Sequence, residues 1–334
     1  MERRKLTGKD KVFNVFNYGV FGLLTLICAY PFYYLIINTL SANDLSAAGE
    51  ILFFPKGFHL DNYKQVLKLN GIFNAAVISV ARTVLGTALS VLASAFMGFM
   101  FTQERMWGRK FWYRFVVITM YFNAGMIPMF ITMKNLHLTN TFWVYVIPTI
   151  VQPFNIILVK TYVESLPRSL QEAAELDGAG VLMIFWKVIL PVCTPILATI
   201  AIFTAVGQWN SFQDTLIYIT DQKLYSLQYL LYQYINQASS LAMTVKNSGG
   251  GAMNMASLAT QQTSTSIRMT VSVVVVLPIL FIYPMFQKHF VKGIMMGAVK
   301  GLCMSAEVHH QGYDSGSCKR MMFLIPESFT RGHH

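Results

Sequence analysis

Six apolar runs, separated by polar segments, constrain the fold of this chain more than any other feature. A helix needs about 20 mostly apolar residues to cross a bilayer, and each run is long enough to do so. Only 12% of the residues are charged, about half the share in a typical soluble domain. The pattern predicts an all-α membrane protein with six transmembrane helices and argues against a soluble multidomain enzyme. The predicted spans are residues 17–40, 73–101, 112–133, 142–163, 186–209 and 268–287.

The distribution of Lys and Arg predicts the orientation of these spans. Basic residues are more numerous in the N-terminal segment, in loops 102–114 and 160–187 and after the sixth span than in the intervening loops. Because the cytoplasmic loops of membrane proteins carry the excess of Lys and Arg, both termini are predicted to be cytoplasmic. The predicted location is therefore a membrane that borders the cytoplasm. The net charge of +11 arises mainly from these loops and indicates a lipid bilayer, not nucleic acid, as the surroundings.

Five segments follow from this topology. Residues 1–16 are a predicted cytoplasmic segment, and residues 17–301 form the six-helix transmembrane domain. The first span follows a basic stretch, as a signal peptide does, but its length favours a retained helix. Loops 41–72 and 210–266 are predicted to be external, and the second is either a contact for an external partner or a plain connector. Residues 302–334 lose the membrane pattern and are interpreted as disordered or as an expression-derived extension.

A polar element in the loop 164–191 interrupts the membrane pattern. Ser169 and Glu172 form an S-x-x-E capping box, which predicts a helix over about 170–177. Three carboxylates keep this helix in water, and Gly178 suits a left-handed helix end. The residues alone leave two interpretations open: a helix on which a partner docks, and an ordinary capped loop helix.

The order of residues in this element resembles a known motif. Residues 172–179 have the pattern Glu-Ala-Ala-x-x-Asp-Gly-Ala, and Phe185, Ile189, Leu190-Pro191 and Pro195 follow. This is similar to the cytoplasmic EAA loop of type I ABC importer permeases. Further segments resemble the carbohydrate-uptake branch of that family, closest to polysaccharide and oligosaccharide systems and the group called lipoprotein-type permeases: Trp209-Asn210-x-Phe212, Leu277-Pro278 and residues 290–301. The polar stretch 232–266 departs from maltose-type permeases.

The resemblance implies the type I ABC importer permease fold and a heteromeric complex in a bacterial cytoplasmic (inner) membrane. Its partners would be a second homologous permease subunit, two cytoplasmic ABC ATPase subunits and an extracytoplasmic sugar-binding protein, and its substrate a carbohydrate. ATP and Mg would bind the partner ATPase, since this chain has no G-x-x-x-x-G-K-[ST] stretch. The implied coupling residues are Glu172 as the charged anchor, Ala173 and Ala174 as the close-packing surface, Gly178 at the turn, Asp177 and Ala179 completing the docking face, and Leu190 and Pro191 setting the re-entry of the helix into the membrane.

Polar residues in the apolar runs are candidates for the substrate pathway. Arg82 lies in the second span, where an ionisable group is costly and often functional, so it either lines the pathway or pairs with another helix. The amides of bundles often only join helices by hydrogen bonds, and Trp209 either stacks on sugar rings or anchors the interface. The remaining candidates are Asn123, Gln152, Asn155, Gln208 and Asn210.

No enzymatic site is predicted. The sequence lacks H-E-x-x-H and G-x-S-x-G motifs, and the four cysteines form no C-x-x-C pair, so neither a metal nor a cofactor is expected in this chain. The alternative function is an ion-coupled secondary carrier. Such a carrier would show paired carboxylates within spans and an internal repeat, and the sequence shows neither convincingly.

Overall fold

The architecture of the chain is helical in a computed structural model that describes residues 8–69, 71–247, 266–278 and 280. No strand occurs among these residues. The helices are α1 Gly8–Thr39, α2 Asn43–Ala47, α3 Asp61–Lys68, α4 Ile72–Met100, α5 Arg109–Thr119, α6 Met126–Asn135, α7 Pro153–Glu164, α8 Ser169–Leu176, α9 Val181–Ile184, α10 Leu190–Val192, α11 Thr194–Asn210, α12 Gln213–Tyr218, α13 Leu227–Asn247 and α14 Ser266–Pro278. Short 3-10 helices cover Phe142–Tyr145, Ile147–Thr149 and Gln222–Leu224, and Phe185–Ile189 is a π-helix.

Two of the predicted spans are single long helices. Residues 12–39 of α1 and all of α4 are long and apolar enough to cross a membrane. The fourth and fifth predicted spans are bent pairs: the 3-10 segment 142–149 with α7, and Val181–Val192 with α11. Proline explains both interruptions, because Pro153 and Pro195 cannot donate the backbone hydrogen bond that would continue the helix before them. Of the sixth predicted span, α14 is described, and the rest of 268–287 lies almost wholly outside the described residues.

The third predicted span, 112–133, is not one helix. The structure has α5 and α6 instead, with a non-helical stretch of residues between Thr119 and Met126. Gly125 stands just before α6 with φ of 84°, a conformation that glycine adopts without steric cost and that cannot continue a helix. The expectation of a single membrane-crossing helix at this position is therefore wrong for the described residues.

The helices divide into two compact units. Of the residues that the structure describes, the first unit comprises 8–69, 71–89, 124–150, 204–247, 266–278 and 280, and the second comprises 90–123 and 151–203. The first unit has two buried clusters, one of which joins α3 and α4 to α13 and α14. The second unit has one cluster, which joins α4, α7, α9 and α11.

A close helix contact stabilises the second unit. A Cβ atom placed on Gly98 of α4 would lie 2.7 Å from Val159 Cγ1 and 2.8 Å from Val159 Cβ of α7. Small residues let two helix backbones approach closely, which is how helices associate where lipid provides no hydrophobic driving force. Gly98 therefore sets the distance between α4 and α7.

The predicted external loops contain helices. Loop 41–72 carries α2 and α3, and the buried Asn62 amide donates to Thr39 O at 3.1 Å and to Asn43 Oδ1 at 2.9 Å. Loop 210–266 carries α12 and α13. Residues 248–265 of that loop lie outside the described residues, as do residues 1–7 of the predicted cytoplasmic segment 1–16 and all of the predicted tail 302–334.

Candidate functional site

The polar element of loop 164–191 forms α8 in the second unit. Its predicted capping box is wrong: the residue before the helix is Arg168, which already has right-handed helical geometry, and no side chain caps the helix start. Glu172 N donates to Arg168 O at 3.1 Å, so the first helical hydrogen bond starts one residue before Ser169. Ser169 is therefore inside the helix, where its hydroxyl cannot act as the N-cap acceptor.

The predicted end of this helix is confirmed. Gly178 has φ of 78°, the left-handed conformation that favours glycine. Gly178 N donates to Glu175 O and Ala179 N donates to Ala174 O, each at 3.0 Å, which closes the last turn. No other atom would lie within 4 Å of a Cβ on Gly178, so backbone conformation, not lack of space, selects glycine here.

The candidate coupling residues in and directly after α8 differ in burial. Ala174 and Ala179 are half-buried and pack against the cluster that contains Phe185. The exposed candidates are Glu172, Ala173, Asp177 and Gly178. Leu176 is also exposed, with 88% of its surface accessible. Sequence reasoning did not single out Leu176, although an apolar residue between Glu175 and Asp177 was the available signal.

Leu190 and Pro191 lie where the chain bends. The π-helix Phe185–Ile189 leads into α10, and the segment Val181–Val192 is bent by 78° from α11. Leu190 is half-buried against the cluster of the second unit, whereas Pro191 is exposed. A π-turn together with proline is a recognised cause of a sharp kink.

A mixed-charge cavity of about 740 Å³ adjoins α8 in the same unit. Its cations are largely paired: Lys160 Nζ lies 2.6 Å from Glu164 Oε1, and Arg105 Nη2 lies 3.5 Å from Glu175 Oε2. Arg109 Nη2 also lies 3.8 Å from Glu104 Oε1. The charges around α8 are therefore nearly balanced.

Arg82 is the centre of a polar network in the first unit. Its side chain is 1% exposed, and Nη2 lies 2.6 Å from Asp214 Oδ2. Nε and Nη2 donate to Gln208 Oε1 at 3.2 and 3.1 Å, and Nη1 donates to Ser211 O at 3.2 Å. The guanidinium carbon also lies 4.4 Å from the centroid of the Tyr145 ring. A guanidinium is suited to this role because its planar fork can serve several acceptors at once.

Gln208 extends the network to the 3-10 segment. Its Nε2 donates to Thr149 Oγ1 at 2.6 Å and to Tyr145 O at 3.3 Å. A Cβ atom on Gly86 would lie 2.7 Å from Gln208 Nε2, so glycine makes room for this amide. The Gln208 side chain therefore joins α4, the 3-10 segment and α11 within one unit.

Tyr145 and Thr215 continue the network. The Tyr145 hydroxyl lies 2.9 Å from Thr215 Oγ1 and donates to Leu224 O at 2.7 Å, and Thr215 Oγ1 lies 2.9 Å from Ser226 Oγ. For Arg82, these contacts favour the pairing interpretation over the pathway interpretation, because its donors are already used within the chain. Asp214, the carboxylate of the pair, was not among the sequence candidates, since it lies beyond the apolar run.

The other pathway candidates are distributed over the two units. Trp209 Nε1 donates to Val275 O at 3.1 Å, and the exposed Asn210 accepts from Gln228 Nε2 at 3.1 Å, both in the first unit. The candidates in the second unit are the exposed Asn123, the half-buried Gln152 and the buried Asn155. Among the candidates, Arg82 and Gln208 share a direct hydrogen bond.

Comparisons with known proteins give consistent results. Residues 90–296 match the family model described as the inner membrane component of binding-protein-dependent transport systems. The chain is 34% identical over 293 residues to the polygalacturonan/rhamnogalacturonan transport system permease protein YtcP of Bacillus subtilis (strain 168), covering 88% of this chain and 100% of that protein. It is 36% identical to the protein LplC of the same organism over 295 residues, covering 88% and 97% of the two chains.

A solved structure is also similar. The match is to a bacterial ABC transporter involved in the import of the acidic polysaccharide alginate, with a TM-score of 0.74 and 26% sequence identity. The similarity covers 86% of this chain and 100% of the solved chain.

Proposed function

Because the chain belongs to the family of inner membrane components of binding-protein-dependent transport systems, we propose that it is the permease subunit through which an ABC importer moves a carbohydrate. The relatives named for polygalacturonan, rhamnogalacturonan and alginate support this cargo class. They make uronate-containing oligosaccharides the first class to test. The family membership also argues against an ion-coupled secondary carrier.

The exposed face of α8 is the observation that carries the mechanism. Glu172, Ala173, Asp177 and Gly178 lie on the surface of the second unit, and Gly178 closes the helix with a left-handed turn. We infer that this face docks on a cytoplasmic ATPase, and that Ala174, Ala179, Leu190 and Pro191 hold the helix on its own unit. Binding ATP and Mg is assigned to the ATPase subunits, and this chain contributes no catalytic group.

The complex and its placement follow from the same proposal. A second homologous permease and two ATPases complete the transporter, and an extracytoplasmic binding protein delivers the sugar. The basic loops favour cytoplasmic termini, and this orientation supports the proposal that α8 faces the ATPases. Closure of the ATPases on ATP would then move α8, and the buried cluster against which Ala174 of α8 packs would pass this movement to α4 and α11.

ATPase activity of the reconstituted complex tests this mechanism. The complex would contain both permeases, the ATPases and the binding protein, with neutral and uronate-containing oligosaccharides supplied separately. Glu172→Ala and Gly178→Asp are expected to abolish most of the sugar-stimulated activity, because the first removes the docking charge and the second adds a side chain to the docking face.

The chain offers matched controls for both substitutions. Gly49 also has a positive φ, 74°, and open space around its Cβ position, and its neighbour Glu50 is exposed like Glu172. Gly49→Asp and Glu50→Ala are expected to leave stimulation intact. If Gly178→Asp and Gly49→Asp lower activity equally, backbone strain explains the loss and the docking assignment of α8 fails. Absence of stimulation by every sugar would contradict the cargo class.

A further inference from the structure

The start of α5 carries a groove that the transport mechanism does not use. The groove has a volume of about 490 Å³ and lies in the second unit. Its lining contains three cations and no carboxylate: Met106, Gly108, Arg109, Lys110, Phe111 and Arg114. The mixed-charge cavity beside α8 shares Arg109 and Lys110 with this groove, but four glutamates line that cavity and none lines the groove. The groove therefore has the charge of an anion site.

Two of these cations are available to a ligand. Arg109 Nη1 donates to Thr102 O at 3.0 Å, which holds this side chain to the preceding loop. Lys110 and Arg114 are exposed, and neither has an ion-pair partner among the residues that the structure describes. Because they are one helical turn apart, four positions along α5, their side chains lie on the same face of the helix.

Exposed aromatic side chains flank the cations. Trp107 is 86% exposed and Phe111 is 65% exposed. Gly108 caps α5 in a left-handed conformation with φ of 65°, and this turn separates Trp107 from the helix. Trp112 packs edge-on against Phe111 at a centroid distance of 5.4 Å. Trp side chains beside basic residues are typical of segments that lie at the level of lipid headgroups.

We propose that this groove binds the headgroup of an anionic phospholipid. The phosphate would contact Lys110 and Arg114, and the exposed aromatic rings would contact the glycerol and the upper acyl chain. A basic cluster next to the end of a membrane-spanning helix attracts anionic lipids in this way. Free phosphate shares the charge of the headgroup but gives no occupant for Trp107 and Phe111, so a lipid fits the surface better. The proposal rests on membrane insertion and not on the identity of the sugar.

Native mass spectrometry of the assembled complex tests the proposal. The complex would be titrated with phosphatidylglycerol and, separately, with phosphatidylcholine. Wild-type protein is expected to retain phosphatidylglycerol preferentially. Each of Lys110→Gln and Arg114→Gln is expected to weaken retention about five-fold, and the double variant about thirty-fold. Lys110→Arg keeps the charge and is expected to retain the lipid.

Controls separate this site from general charge effects. The double variant Lys56→Gln/Lys134→Gln removes the same charge from exposed positions of the first unit and is expected to leave retention unchanged. Equal retention by the Lys110/Arg114 variants and by wild-type protein overturns the proposal, as does equal retention of the two lipids. Displacement of the lipid by inorganic phosphate alone also overturns it, because the headgroup source would then be wrong.

Basal ATPase activity of each variant shows whether the complex has assembled. If the double variant fails to assemble, the lipid-retention test is made with the single variants Lys110→Gln and Arg114→Gln. If no sugar stimulates the wild-type complex but this complex still retains phosphatidylglycerol, the result counts against the carbohydrate proposal alone. Loss of lipid preference with intact sugar stimulation would count against the lipid site alone. The two proposals therefore fail by different results.

Discussion

The buried pair of Arg82 and Asp214 allows a quantitative test of the network in the first unit. We consider Arg82→Met, Asp214→Ala and the double variant. Asp214→Ala leaves a guanidinium that is 1% exposed with only neutral partners. Removing one member of a buried ion pair costs about 3–5 kcal/mol, because the remaining charge has lost its compensation. Since Asp214 is 30% exposed, water can partly replace it, and we expect the lower value of about 3 kcal/mol.

Arg82→Met perturbs the network from the other side. Asp214 keeps its bond from Ser211 Oγ at 2.8 Å and can gain water through its exposed part. The substitution mainly removes the guanidinium that donates to Gln208 Oε1 and Ser211 O. Because these hydrogen bonds involve a charged group, we expect the free energy of unfolding to fall by about 2–3 kcal/mol. The double variant removes both charges, so its cost should fall short of the sum by about 2 kcal/mol.

Equilibrium unfolding of the full chain in detergent micelles measures these free energies. The surface pair of Lys64 and Asp61, at 3.0 Å with both side chains more than half exposed, provides a control cycle. Solvent screening makes such pairs weak, so Lys64→Met and Asp61→Ala should be additive. If the Arg82 and Asp214 substitutions are additive within about 0.5 kcal/mol, the two side chains do not act as a pair and the network assignment is refuted.

Two further substitutions test the packing of each unit by the same unfolding measurement. Tyr145→Phe keeps the ring over Arg82 but removes the donor to Leu224 O and one of the two hydroxyl partners of Thr215, and it should destabilise the chain by about 1–2 kcal/mol; a neutral result would show that water replaces the hydroxyl. Gly98→Ala should cost about 1–3 kcal/mol through overpacking against Val159, and Val159→Ala in the same chain should recover part of this loss; no recovery would mean that α4 and α7 do not meet as described.

Sequence reasoning predicted those features that depend on local chemistry. Helix α4 was predicted because its run is continuously apolar, and the left-handed end at Gly178 because few other residues adopt that conformation. The family followed from the order of residues after Glu172, which is a local pattern. Each of these signals is contained within a short stretch of sequence.

Features that depend on distant or competing contacts were missed. Asp214 meets Arg82 across 132 positions, and no local pattern reports such a pair. The break between α5 and α6 was missed because the apolar character of residues 112–133 favoured one continuous span, although Gly125 indicated a turn. The capping box failed because Arg168 adopts helical geometry, which moves the helix start.

The interleaving of the two compact units has a consequence for the synthesis of the chain. The backbone amide of Leu227 donates to Ser79 Oγ at 2.8 Å, across 148 positions. A ribosome that adds about 5–20 residues per second needs roughly 7–30 seconds to make that interval. During this time the first unit lacks α13 and α14, although its early helices have already left the ribosome. We expect the nascent protein to depend on an insertion partner or on lipid to cover Val66 and Ile72 until their final neighbours arrive.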